Sequence, residues 1–179
     1  GFIAETGAAQ YYRDAKILTI YEGTTAIQAN DLVGRKTARD GGTTAKAIAA
    51  QIAKTEAELA ASGNADAKAI GQRLAAAREA FLEVVAFIAA QSKSDPNATY
   101  AGSVPYLMLA GNLMAGWQMA RAALVALSPE AKAQDADFMA AKITTARFYA
   151  DHILTKASGV RDAIVDGAHS VTALPVEAF

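Results

Sequence analysis

The hydrophobic and polar positions along this chain repeat at helical spacing from one end to the other. Apolar residues recur three or four positions apart, whereas the alternation typical of β-strands is hardly present. Alanine, a strong helix former, is the most frequent residue. The pattern therefore predicts an all-α protein.

Two helices are predicted before a marked boundary. The first runs from Glu5 to Leu18, and the second is capped by Thr25 and ends near Arg39, with a short break at 21–25 between them. The boundary is the run Asp40-Gly41-Gly42-Thr43, because two glycines free the backbone and a threonine can start the next helix.

Four long amphipathic segments follow the boundary, and short loops join them. Helices of this length with short connections predict an up-down four-helix bundle. Gly111 and Gly116 lie in the third segment, on apolar faces where we expect them to allow close helix approach. The predicted segments are 44–61, 66–91, 104–127 and 128–156, with a short last helix at 160–166 and loops at 62–64 and 94–97.

Composition and charge exclude several classes of protein. The chain has 179 residues, 53% of them hydrophobic, and a net charge of −1, so it can bury a core. The basic residues are spread among acids, which argues against a nucleic-acid partner. No cysteine is present, which excludes disulfides and thiolate metal sites and favours a cytoplasmic protein.

Two stretches of the chain bear on membrane insertion and on targeting. The nearly uncharged run Val104–Ala120 is shorter than a bilayer span and holds Asn112 and Gln118, so we expect a buried central helix and no transmembrane segment. The N-terminus lacks the pattern of a secretory signal and has no initiator methionine, so we expect the natural start upstream.

The candidate chemistry lies in the break between the first two helices. Glu22 is a single carboxylate followed by Gly23-Thr24-Thr25, a run whose backbone N–H groups can face an anion. A carboxylate in an apolar pocket has its pKa raised by desolvation, which suits a general base. From the local sequence alone, an ordinary polar residue between two helices is the favoured interpretation of Glu22.

Residues 1 to about 36 resemble the segment of acyl-CoA dehydrogenases that carries their catalytic glutamate. The resemblance implies that Glu22 is the base that removes the α-proton, that Thr24 and Gly23 contact the flavin, and that Tyr21 and Gly23 line the substrate site. Thr24 could also serve as a local helix cap, and Tyr21 could pack between helices. The matching residues are Gly1-Phe2, Glu5, Arg13-Asp14-Ala15-Lys16-Ile17, Ile20-Tyr21-Glu22-Gly23-Thr24, Ile27-Gln28 and Arg35.

The resemblance also implies partners and a division of the chain. Residues 1–40 would end the family's C-terminal helical domain, and residues 41–179 would be a helical-bundle extension, as in the subgroup of bacterial long-chain-type and 3-methylmercaptopropionyl-CoA dehydrogenases. FAD, an acyl-CoA substrate, electron-transfer flavoprotein as electron acceptor and a homodimer or larger oligomer are implied for the parent enzyme. Ala26 departs from the family, whose members often carry a flavin-contacting polar residue there.

Much of such an enzyme is not in this sequence, so we expect the 179-residue chain alone to bind no FAD and to be inactive. An alternative from another class makes the bundle a non-catalytic assembly module. A di-iron site is a third possibility, but its Glu-x-x-His motif is only approximated by Asp166-Gly167-Ala168-His169. Glu79, Glu83 and Asp162 are the other carboxylates considered there, and we expect no metal site.

Overall fold

The computed structural model describes residues 3–18, 20 and 25–178. Within these ranges the chain is mostly helical and contains no β-strand, which confirms the predicted all-α class. The α-helices are α1 Ala8–Ile17, α2 Thr25–Asp31, α3 Thr43–Ala61, α4 Ala65–Gln91, α5 Pro96–Ala101, α6 Ser103–Ala126, α7 Pro129–Gln134, α8 Ala136–His152, α9 Ala157–Val165 and α10 Ala168–Val171. A π-helix at Leu32–Ala38 follows α2 directly, and 3₁₀ turns lie at Ala4–Thr6, Leu154–Lys156 and Val176–Ala178.

The four long helices α3, α4, α6 and α8 form the bundle, with α4 at its centre. Helix α4 packs against α3, α6, α8 and α9, and it contributes the largest share of the buried side chains. Burial of these apolar side chains supplies the main driving force for folding. The core of α4 consists of Ala67, Ile70, Leu74, Ala77, Ala80, Phe81, Val84, Val85 and Ile88.

Short, capped connections set the direction of the helices. Gly63 has a φ of 72° and ends the turn after α3, and the Asn64 side chain then accepts a hydrogen bond of 2.9 Å from the Ala67 N–H. Such a short link makes α3 and α4 antiparallel neighbours. Gly41 and Gly42, with φ of 63° and 80°, release the chain between the π-helix and α3.

The fourth predicted segment is two helices rather than one. Asp135 adopts an extended backbone between α7 and α8, and its carboxylate accepts a 2.9 Å hydrogen bond from the Phe138 N–H. The residue therefore caps a new helix instead of continuing the old one. Asp95 similarly caps a helix, because its carboxylate accepts a 3.0 Å hydrogen bond from the Ala98 N–H. The predicted loop at 94–97 therefore contains the start of the short helix α5.

The end of the chain also differs from the expected pattern. Helix α9 already begins at Ala157 rather than at residue 160, and Gly159 lies inside it. The physical reason is that Ala157 and Ile164 are buried, and this tertiary packing outweighs the weak helix propensity of one glycine.

Helix α6 is buried on one face only, which corrects the expectation of a buried central helix. Tyr106 and Leu113 lie in the core, whereas Met108 and Val125 are exposed. Gly116 allows the expected close approach, since a Cβ there would lie 2.7 Å from Leu154 Cδ2. The same expectation for Gly111 is wrong, because nothing lies within 4 Å of the position of its Cβ.

Candidate functional site

The predicted site residues Tyr21, Glu22, Gly23 and Thr24 lie outside the described residues, and in the sequence they fall between α1 and α2. Helix α1 ends at Ile17 and α2 begins at Thr25. Thr25 is thus the first residue of α2 rather than its cap.

Helix α1 presents apolar side chains that nothing in the described part of the chain covers. None of its ten residues is buried. Tyr11 and Leu18 are each 80% exposed, and Ile20 is 65% exposed. A cluster of large exposed apolar groups marks a surface that packs against other protein. Within the described residues, the large apolar side chains before the motif therefore remain largely exposed.

The polar side chains of α1 interact with one another. Gln10 donates a 2.7 Å hydrogen bond to Asp14 Oδ1 and accepts one of 2.8 Å from Arg13. Two of the three charged residues of the Arg-Asp-Ala-Lys-Ile motif, Arg13 and Asp14, are thus held by one neighbour on the same helix.

The helix that follows the motif is anchored on the bundle. Ala29, Val33 and Thr37 are buried at successive four-residue steps, and α2 packs against α6. The anchor ends in a 2.8 Å hydrogen bond between the Thr37 and Tyr106 hydroxyls. Burial raises the pKa of Tyr106, so its hydroxyl stays neutral at physiological pH. The bundle thus fixes the position of the helix whose N-terminus adjoins Glu22.

The structure also contains a cavity that was not predicted, next to the contact between Thr37 and Tyr106. It lies between the π-helix, α3, α4 and α6, and it has a volume of about 520 Å³. Arg35, Lys36 and Arg39 line it together with Phe81 and Tyr106. The only local signal was the cluster of three cations before the double glycine, because the apolar walls come from helices far apart in sequence.

The carboxylates considered for a metal site have other partners. Arg161 binds Glu83 at 2.6 Å, Asp162 at 2.9 Å and Asp166 at 2.6 Å. Across residues 3–18, 20 and 25–178, no group of three or more His, Asp or Glu side chains is arranged to hold a metal ion. These carboxylates instead join α4 to α9 through Arg161.

The apolar run in α6 does not make a membrane span. No helix in the described part of the chain combines the length and the apolar character needed to cross a bilayer.

Two family models match the chain, in adjoining regions. The model described as "Acetyl-CoA dehydrogenase C-terminal like" matches residues 45–175. The model described as "Acyl-CoA dehydrogenase, C-terminal domain" matches residues 1–37.

Similar curated proteins carry names of the same kind. A 3-methylmercaptopropionyl-CoA dehydrogenase of Ruegeria pomeroyi is 54% identical over 96% of this chain and 29% of the relative. The broad-specificity linear acyl-CoA dehydrogenase FadE5 of Mycobacterium tuberculosis is 34% identical over 100% of this chain and 30% of the relative. A butyryl-CoA dehydrogenase of Syntrophomonas wolfei is 33% identical, with the same two coverages of 100% and 30%.

The chain thus spans about three tenths of the length of these relatives. In each match the aligned segment includes nearly all of this sequence, so the likeness extends across both the helices beside the motif and the bundle. With the model match over residues 45–175, this shows that the chain belongs to the acyl-CoA dehydrogenase family and corresponds to the C-terminal part of its members.

Proposed function

We propose that this chain supplies the catalytic carboxylate, Glu22, of a flavin-dependent dehydrogenase that oxidises an acyl-CoA thioester to the 2,3-enoyl-CoA. The observation that carries the proposal is the Tyr21-Glu22-Gly23-Thr24 sequence, within the region matched by the model of the acyl-CoA dehydrogenase C-terminal domain. The names of the relatives support a thioester substrate, and they differ in the acyl group.

The reaction needs a base at the α-carbon of the thioester. Glu22 takes the α-proton onto a carboxylate oxygen, and the electron pair left on carbon becomes part of the new α,β double bond. A bound FAD would supply the two-electron acceptor for the β-hydrogen, so that loss of a proton to Glu22 and of a hydride would leave the 2,3 double bond. Tyr21 and the Gly23 backbone are proposed to border the acyl group. A water-poor site around Glu22 would keep its pKa high enough for proton abstraction.

The donors beside Glu22 suit a flavin ring, whose edge carries carbonyl and ring-nitrogen acceptors. Thr24 has a hydroxyl, and Gly23 and Thr24 directly precede α2 in the sequence, where a helix start leaves N–H groups free to donate. Ala26 is exposed and offers only a methyl group, so this chain supplies one polar contact fewer than many family members. We propose Thr24 and Gly23 as the residues that hold the cofactor.

The rest of the site would come from a longer protein. The unpartnered apolar side of α1 supports this, as does the share of the relatives that the chain spans. Residues 1–40 would complete the catalytic domain and residues 41–179 would form its bundle extension. Electron-transfer flavoprotein as acceptor, self-association into a dimer or larger oligomer and a cytoplasmic setting belong to the same proposal.

The proposed function is tested by comparing the longer protein with the 179-residue chain. We expect the longer protein to purify with a yellow flavin chromophore and to reduce an electron-accepting dye when given acyl-CoA thioesters. The 179-residue chain should show neither property. The panel should include saturated thioesters from short to long and 3-methylmercaptopropionyl-CoA. A longer protein that holds flavin and oxidises none of these thioesters would contradict the proposed activity. Flavin retained by the 179-residue chain would contradict the proposal that the rest of the flavin site comes from the longer protein.

A second proposal concerns the bundle as an assembly module. Helix α8 buries only Ala146 and Ala150, while Phe138 and Phe148 are 52% and 60% exposed on it. Exposed aromatic side chains of this size favour burial against another protein surface. Deleting residues 43–179 from the longer protein should therefore lower its oligomeric mass in light scattering. Replacing Phe138 and Phe148 with serine separates loss of the surface from loss of the fold, and an unchanged mass in both variants would refute an assembly role.

A further inference from the structure

The cavity beside the π-helix is large enough for a small organic molecule. Its volume of about 520 Å³ falls within the range of roughly 300–1,000 Å³ found for ligand pockets. The walls are mostly apolar and are contributed by α3, α4 and α6 through Ile48, Phe81 and Met114. Phe81 also stacks on Tyr106 with ring centroids 5.8 Å apart, which gives the wall a flat aromatic surface.

The polar groups deep in this wall already have partners. The Thr37 and Tyr106 hydroxyls bind each other at 2.8 Å, and both residues are buried. No buried side-chain nitrogen or oxygen is left without a hydrogen bond within residues 3–18, 20 and 25–178. An apolar ligand would therefore leave no polar group stranded against it.

Cations dominate the exposed rim of the cavity. Arg35 is paired with Asp31 at 3.2 Å, whereas no carboxylate in the described part of the chain forms an ion pair with Lys36 or Arg39. Asp40 also borders the cavity, but its oxygens accept hydrogen bonds from the Gly42 and Thr44 N–H groups at 2.9 and 3.0 Å. Bonds from Thr44 and this first turn hold the pKa of Asp40 below its usual value, so the acid is engaged with α3.

We infer that this cavity binds a single-chain organic monoanion, a carboxylate with an apolar tail, with the tail against Phe81 and Met114 and the head at Lys36 and Arg39. Apolar walls exclude a strongly hydrated polyanion, and the cationic rim selects an anion over a neutral or cationic amphiphile. The long side chains of Lys36 and Arg39 can cover the tail while keeping their charges in water.

The residues named for the inferred site do not include the Tyr21-Glu22-Gly23-Thr24 motif. Lys36 lies roughly three helical turns beyond Thr25, where α2 begins. The inference does not depend on the proposed dehydrogenase activity, since it rests on the walls and rim of the cavity alone. Its test accordingly measures binding rather than turnover.

The test is calorimetric titration of the 179-residue chain with decanoate below its critical micelle concentration. We expect one saturable site. The double variant Lys36→Gln/Arg39→Gln should weaken binding on the order of tenfold, the scale of two exposed charge contacts. Ala110→Phe, which places a ring in the cavity, should abolish binding. Decanol should bind more weakly than decanoate, and decyltrimethylammonium should not bind.

The matched control is Lys68→Gln/Lys132→Gln, which removes two exposed lysines that do not line the cavity and should leave affinity unchanged. Equal weakening in the control, equal affinity for decanol, or undiminished binding by the rim variant would overturn the inference. Association only with anionic lipid vesicles would overturn it as well. The titration is repeated with the longer protein, where loss of the site would mean that another segment covers the cavity and would also refute it.

Discussion

Replacing Glu22 with glutamine in the longer protein is expected to lower turnover by about 10²–10⁴-fold, the usual contribution of a positioned general base. Glutamine keeps the shape of the side chain but cannot accept a proton at neutral pH. The donors proposed to hold the flavin, Thr24 and Gly23, are unchanged, so the flavin absorbance of the purified protein should remain. The measurement is dye-linked oxidation of whichever thioester the unmodified protein prefers.

Exchange of the α-hydrogen with solvent tests proton abstraction by Glu22 more directly than turnover does. In heavy water the unmodified protein should exchange the α-hydrogen of a bound thioester, and Glu22→Gln should lose that exchange together with oxidation. Glu5→Gln is the matched control, because Glu5 is an exposed acid in the same N-terminal segment. Near-normal turnover by Glu22→Gln would remove this residue from the chemistry. Loss of flavin in the same variant would assign it a structural part instead.

Two glycines of α6 should respond in opposite directions to the same substitution. Gly116→Leu is expected to destabilise the chain by about 2–3 kcal/mol, because overpacking of a tight contact costs this much. The Cβ alone would lie 2.7, 2.9 and 3.1 Å from three side-chain atoms of Leu154, which is only 3% exposed. Gly111→Leu should stabilise the chain by about 0.5–1 kcal/mol through helix propensity, since its Cβ meets open space.

Because the substitution and the helix are the same, the contribution of helix propensity cancels between the two variants. The difference between their changes in unfolding free energy therefore reports side-chain packing. The measurement is thermal unfolding followed by circular dichroism. At roughly 2–4 °C per kcal/mol for a chain of this size, the midpoint should fall for Gly116→Leu and rise slightly for Gly111→Leu. Equal shifts in both variants would show that α6 and the 3₁₀ turn at Leu154 are not in close contact.

Much of the helical framework could be predicted from local sequence. Ser128-Pro129 and Gly41-Gly42 are strong start and stop signals, and the structure begins α7 at Pro129 and α3 at Thr43. Asp135 was missed because it lies among good helix formers, where only its capping bond to the Phe138 N–H reveals the break. The burial of α6 was overestimated because composition does not record which face a neighbouring helix covers.

The two candidate sites differ in how far sequence could predict them. Glu22 was identified from a contiguous motif, and its role stays a prediction because the residue lies outside the described part of the chain. The cavity at Lys36 and Arg39 depends on Ile48, Phe81 and Met114, which come together only after folding. No local pattern encodes such a meeting, so reasoning from neighbouring residues could not find it.

The π-helix at Leu32–Ala38 determines the direction in which α2 faces. The turn of a π-helix is wider than that of an α-helix and accommodates about one more residue. In an α-helix, successive residues are rotated by about 100° around the helix axis. Removing one residue between Thr25 and Thr37 while keeping the Tyr106 contact would therefore rotate everything upstream by more than a quarter turn. The number of residues between the motif and Thr37 is thus constrained by the angle at which α2 must face. This constraint acts against insertions and deletions whatever side chains occupy the segment.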